Sequence, residues 1–284
     1  MKIISFIILL FCILIFIFQI YFIHSNFYLN QLAAVFTSSK SVDNKIITLN
    51  EADNMKDSKN ENFWLNSGAL FYFKDNYGYT IQGDLPKYST WRLMYKISNP
   101  LDTDDGYHPQ NILRLITKKT GKDSIESFYT LIVKDNLSQS PNRNESNGVF
   151  AILHYTDSDN LYYAGIRVDG TAVIKKKKNG VYYTLAQKPI FSGDIYDKNI
   201  NPNLLPKNQW VGIKAEIKNI DENTIEINLY LDKNDSGDWI KILSTTDKGD
   251  QAEVGIIKDG YGGIRSDFMD IEIRDYSFES ETYP

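Results

Sequence analysis

From Phe63 onward the chain is a succession of short runs rich in Val, Ile, Tyr, Phe and Trp, each closed by Gly, Asn, Asp or Pro, and no window sustains a helical period. Strands are read at 69–73, 90–97, 111–116, 127–133, 149–155, 161–168, 172–177, 181–185, 210–218, 224–231, 239–245 and 267–276. About a dozen strands in one domain must close into a barrel or stack as two sheets, so residues 61–284 are expected to form a single all-β domain. Only one cysteine, Cys12, is present in the 284 residues, so no internal disulfide forms and stability must come from a packed core. The stretch 187–206, with prolines at 189, 202 and 206, is too long for a hairpin and reads as a crossover or functional loop.

The N-terminus has a different character. Residues Ile3 to Ile23 are almost wholly apolar, and no charge falls between Lys2 and Lys40. At ~1.5 Å per residue such a run spans about 30 Å, the thickness of a bilayer hydrocarbon core. A cleaved signal peptide has a shorter apolar stretch and a small-residue cleavage site, which does not follow Ile23 closely. The expectation is one N-terminal transmembrane helix within residues 1–25, with a signal sequence as the alternative. Cys12 follows the bulky Phe11, does not fit a lipoprotein site, and reads as a lipid-facing side chain. Lys2 places the N-terminus inside and the remainder outside, a membrane-anchored, extracytoplasmic location. Residues 26–60 lose the apolar density and read as a tether with a first short strand at 45–49.

The stretch 161–186 reads as a meander with hairpin turns at Asp169-Gly170 and Asn179-Gly180. Alternation puts Tyr162, Ala164, Ile166 and Val168 on the core face and Tyr163, Gly165 and Arg167 on the other. It also splits the run of lysines, Lys175 and Lys177 against Lys176 and Lys178, so the run is not one basic patch; it reads as a solvated strand end. With a formal net charge of −5 and an apolar N-terminus, nucleic acid is not an expected partner. Trp91, Trp210 and Trp239 each begin a strand and read as buried fold determinants.

The succession His154 to Tyr163, "HYTDSDNLYY", followed by "VIKKKKNGVYYTLA", "NQWVGIKAEIKN", "TIEINLYLD", "GDWIKIL" and "GGIRSDFMDIEIRDYSF", resembles the concanavalin A-like jelly rolls. Within them it is most similar to the laminin-G-like and 3-keto-disaccharide-hydrolase-like branches, over roughly residues 63–279. The resemblance implies a two-sheet antiparallel jelly-roll β-sandwich whose concave sheet holds carbohydrate, and it fixes fold better than activity, because this fold hosts binding modules, glycosidases and lyases.

Retaining glycosidases on this fold need closely spaced acids on one strand, and no such string occurs; Asp267, Asp270 and Glu272 are the nearest. Lyases use Tyr and His with a cation to neutralise a uronate, and His154, Tyr163, Arg167 and Arg114 could face one sheet. The candidate carbohydrate-binding residues are therefore Arg114, His154, Tyr163, Arg167 and Lys175, with Tyr163 stacking on a sugar ring and Arg167 holding a carboxylate. The leading expectation is a binder of acidic glycans; a glycan-active enzyme, lyase before hydrolase, and an adhesion module are the alternatives. Asp232 to Asp238 begins like an EF-hand loop, but Leu243 stands where a bidentate Glu belongs, so a turn is expected. The resemblance implies a structural calcium with Asp270 as side-chain ligand. Three Asn-x-Ser patterns, at Asn136, Asn144 and Asn234, fall in expected loops.

Overall fold

The computed structural model describes residues 46–280 apart from 192, 251–255 and 257–258. The anchor expected within 1–25 and Cys12 lie outside the described residues. No helix among the described residues is long and apolar enough to cross a membrane.

Two antiparallel sheets stack face to face. The eight-stranded sheet runs β1 (Ile47–Asn50), β3 (Leu70–Lys74), β4 (Tyr77–Thr80), β15 (Met269–Ser280), β6 (Ser124–Asp135), β11 (Trp210–Asn219), β12 (Ile225–Asp232), β13 (Ile240–Asp247). The seven-stranded sheet runs β10 (Val181–Pro189), β9 (Thr171–Lys178), β8 (Asn160–Arg167), β7 (Gly148–Asp157), β14 (Gly260–Asp267), β5 (Ile112–Gly121), β2 (Phe63–Ser67). The all-β two-sheet sandwich is the architecture expected. Its core lies between the sheets, where Tyr162, Ala164 and Ile166 of β8 meet Ile213, Ala215 and Ile217 of β11 and Ile227 and Leu229 of β12. The alternation read in 161–168 is thus the observed one.

Three expectations about the elements are corrected. Residues 90–97 form a helix, α1 (Thr90–Ser98), not a strand. Apolar residues at 91, 93, 95 and 97 mimic a strand, but only Trp91 and Tyr95, one helical turn apart, pack inward. The strand expected at 267–276 is β15, but β14 before it is not among the expected strands; Phe268, at φ 54°, turns the chain from β14 in one sheet to β15 in the other. Residues 46–60, read as tether, belong to the folded unit, with β1 paired to β3.

The lysine run is not wholly solvated either. Lys176 is fully buried between the sheets, its Nζ 2.8 Å from Asp247 Oδ2, an oxygen that also accepts the Tyr162 hydroxyl at 2.7 Å. Leu161–Lys177 and Tyr162–Lys176 pairing in the β8–β9 ladder fixes this inward direction.

The tryptophans also differ from expectation. Trp64 is the buried one, its Nε1 donating to Ala52 O at 2.7 Å. Trp210 and Trp239 are half-buried on the outer face of the eight-stranded sheet. There the Arg274 guanidinium lies 4.6 Å from the Tyr129 ring and 4.8 Å from Trp210, and Lys214 Nζ lies 4.8 Å from Trp239. A Cβ at Gly212 would sit 2.7 Å from the Trp239 ring, so this glycine is what lets the indole lie over β11. Trp91 is half-buried beside Tyr95.

Candidate functional site

The outer face of the seven-stranded sheet is divided in two. One half is closed: Trp64, Ile116, Ile152 and Leu161 form an apolar cluster covered by Ala52 and Met55. The other half is open, a groove of about 470 Å³ with Phe150, Tyr163, Lys175, Tyr182, Arg265 and Asp267 in its walls and floor. Asp102, Asn142, Asn144 and Asn147 supply a polar rim from the loops. Two sets of polar rim groups around an aromatic floor suit a polyhydroxylated ligand.

Arg265 organises the floor. On β14 it stands opposite Phe150 of β7 and Arg114 of β5. Its Nε donates to Asp267 Oδ1 at 2.8 Å and its Nη1 to the Tyr182 hydroxyl at 3.2 Å. The guanidinium carbon is 4.9 Å from the Tyr163 ring centroid and 6.0 Å from that of Tyr182. Burial opposes its charge, but Asp267, Tyr163 and Tyr182 more than offset that and hold its pKa well above the ordinary guanidinium value. Tyr163 and Tyr182 stack, centroids 6.2 Å apart and planes at 23°.

Around this pair lie groups tuned away from their ordinary titration. Burial, with the repulsion of Arg167 and Arg265, lowers the Lys175 ammonium to about 8. Burial pushes the Tyr182 phenol up, yet the charge and hydrogen bond of Arg265 and the charge of Lys177 pull it below its usual value. Lys177 Nζ lies 5.1 Å from the Tyr182 ring and is held by Asp159 at 3.1 Å. Two buried oxygens of the site, the Tyr163 hydroxyl and Asp267 Oδ2, have no hydrogen-bond partner among the described residues. Buried polar atoms are normally satisfied, which sets this pair behind the groove wall apart from the rest of the site.

The residues singled out by sequence are only partly brought together. Lys175 and Tyr163 line the groove, but Tyr163 is only 1% exposed, beneath Tyr182 and Arg265, so the ring presented to solvent is Tyr182. Arg167 lies beside Lys175 electrostatically but is committed elsewhere, to Asp169 at 2.8 Å and to the Glu145 carbonyl at 3.0 Å. Arg114, directly opposite Arg265 in the β5–β14 ladder, reaches Asn66 and Ser158 at 2.9 and 2.8 Å and does not line the groove. His154 is outside the groove: it sits in a β-bulge at φ 47°, with its ring nitrogens 2.7 and 2.6 Å from the Ile256 and Lys122 carbonyls. Burial lowers its pKa, against the pull of those carbonyls. Its place is structural.

Asp270 is fully enclosed and accepts Gln110 Nε2 at 2.9 Å, Asn136 Nδ2 at 2.8 Å and the Gly83 backbone N–H at 2.7 Å. Gln110 Oε1 and Asn136 Oδ1 are buried without partners. Amide oxygen and nitrogen are interchangeable by a half-turn, so these two oxygens can be brought to Asp270, beside the Gly83 carbonyl that Gln110 already contacts at 2.9 Å. That oxygen set fits a hard cation. No cluster of three or more His, Cys, Asp or Glu able to hold a metal occurs among the described residues. Asp232 behaves as a turn residue: backbone N–H groups of Asn234 and Gly237 and the Tyr129 hydroxyl hold its carboxylate.

No protein-family model matches the chain, and no curated protein sequence matches it. Solved structures of similar fold include the carbohydrate-binding module CBM66 from Bacillus subtilis, at 13% identity and a TM-score of 0.40, covering 60% of this chain and 83% of that one. The Ca2+/Man-bound exoplasmic/lumenal domain of VIP36 matches at 9% identity and a TM-score of 0.39, over 78% of this chain and 84% of that one. The GH43 protein BlXynB from Bacillus licheniformis matches at 12% identity and a TM-score of 0.37 over 72% of this chain, which spans only 37% of that enzyme. At these identities and TM-scores the likenesses concern the fold, and neither activity nor ligand carries over to this chain.

Proposed function

We propose that the chain is a membrane-anchored, extracytoplasmic carbohydrate-binding domain whose open groove takes an acidic glycan. The observation that carries this reading is the pair of cations in the groove, Arg265 and Lys175, set beside the exposed Tyr182 ring and the polar rim. A guanidinium and an ammonium answer a carboxylate or sulfate, the Tyr182 ring answers an apolar sugar face, and the amides of Asn142, Asn144 and Asn147 on the rim answer hydroxyls. The apolar run from Ile3 to Ile23 supplies the anchor in this reading. A glycan-array screen of the detergent-solubilised full chain tests it. Uronate- or sulfate-bearing glycans are expected to score above neutral ones, and Tyr182→Ala to abolish the signal with the melting temperature unchanged; a signal confined to neutral glycans rejects the reading.

A second reading, elimination from a uronate, is favoured by one observation: the Tyr182 hydroxyl is held by Arg265 and its phenol lowered, as a proton acceptor requires. In that reaction Tyr182 takes the proton beside the carboxylate, the bond to the 4-oxygen breaks as a ring double bond forms, and the leaving oxygen is protonated from water. Ultraviolet absorbance of the unsaturated product during incubation with oligouronates is the expected sign, lost in Tyr182→Phe.

Calcium in this reading is structural and held at Asp270 by the amide oxygens of Gln110 and Asn136. Added calcium is expected to raise the melting temperature of the native chain relative to chelator and to leave Asp270→Asn unmoved. Equal melting of the native chain in both buffers removes the cation from the account.

A further inference from the structure

Helix α1 is apolar on both sides. Trp91 and Tyr95 pack inward, where the Tyr95 hydroxyl bridges the Gly68 N–H and Glu51. On the opposite arc Leu93, Met94 and Ile97 face solvent, Leu93 at 61% and Ile97 at 77% exposure. The surface continues through Leu101 to Leu137, whose loops meet at the Ser138 hydroxyl and the Leu101 carbonyl, and is preceded by the exposed Tyr88. On the same side, where the folded unit begins, exposed Ile46 borders a groove of about 530 Å³ with Tyr72, Tyr79, Leu85 and Pro86. The helix thus carries apolar side chains outward as well as inward, with Arg92 and Lys96 among them, and a contiguous exposed apolar surface marks an interaction site.

We propose that this face rests on a lipid bilayer, with the outer arc of α1 lying in the headgroup boundary and Tyr88 at the interface. The proposal rests on the anchor reading of residues 3–23. An anchor keeps the domain at high effective concentration near a bilayer, so shallow insertion of a few side chains suffices. Exposed Lys87 and Lys96 flank the arc and suit anionic headgroups; of the acids on this side, Asp84 and Asp104 contact His108 at 2.8 and 2.7 Å, and Asp105 is exposed.

The test uses the full chain with Cys12→Ser, in phosphatidylcholine vesicles carrying a minority of phosphatidylglycerol. An environment-sensitive fluorophore is attached at Ile97→Cys or, as control, at Ile240→Cys on β13, the opposite edge of the eight-stranded sheet. Lipids with nitroxide acyl chains are expected to quench the label at 97 severalfold more than that at 240. Flotation of the chain with equal quenching at both positions overturns the proposal while leaving the anchor standing. Failure to float at all overturns both. Quenching at 97 that gives way to cross-linking between copies as protein concentration rises assigns the face to a second copy instead and overturns the proposal.

Discussion

Replacing Lys176 by Met is expected to destabilise the protein by about 3–5 kcal/mol, although the change is apolar for polar in an apolar core. The reason is the partner left behind. The Asp247 side chain is 2% exposed, and without the ammonium its carboxylate keeps, among the described residues, the Tyr162 hydroxyl and the Gly249 N–H. Lys176→Met combined with Asp247→Leu is expected to regain most of the loss, since a buried ion pair and a well-packed apolar pair of similar volume are often close in free energy. Denaturant unfolding of the two variants reads this directly. If the single variant loses under about 1 kcal/mol, the range of a surface pair, the buried pair is not the constraint described.

The second large effect concerns the groove. Arg265→Gln with Asp267→Asn removes both charges at once, so no bare carboxylate is left beneath Tyr163 and Tyr182. Binding of an acidic oligosaccharide is expected to weaken by about 2–5 kcal/mol, the scale for loss of a desolvated charged contact. Arg265→Lys alone is expected to lose less, because an ammonium keeps the charge but cannot fork between Asp267 and Tyr182 or lie flat on Tyr163. Titration calorimetry separates the two variants, and equal affinity in the native chain and the doubly neutral variant moves the site elsewhere.

The sequence carries some of this arrangement openly and hides the rest for physical reasons. Strict alternation in β8 displays the core set Tyr162, Ala164 and Ile166 and turns Tyr163 and, across the ladder, Lys175 to the groove. The role of Arg265 is invisible because β14 contains Gly260, Gly262 and Gly263, which do not read as a strand, and because Tyr182, which its guanidinium meets, lies 83 residues away. The burial of Lys176 depends on Asp247, 71 residues further on, so local pattern assigns it to solvent. Arg167 shares the groove-side direction with Tyr163, but direction does not reveal that Asp169 and the Glu145 carbonyl already occupy it. Helix α1 escapes notice because its two inward aromatics sit at positions that alternation also selects.

The central claim, cationic recognition of an acidic glycan in this groove, is tested most directly by affinity against pH for one acidic oligosaccharide and its carboxyl-reduced neutral counterpart. Lys175 is lowered to about 8, so its charge is present below that value and is lost as pH rises through it. A bound carboxylate favours the charged form, so the acidic ligand is expected to lose about 1–3 kcal/mol of binding free energy as pH rises past 8. The neutral ligand is expected to lose much less, and Lys175→Gln to reduce the pH dependence to what the lowered Tyr182 phenol contributes. An acidic ligand whose affinity is unchanged across that range, or a neutral one that falls in parallel, contradicts the account.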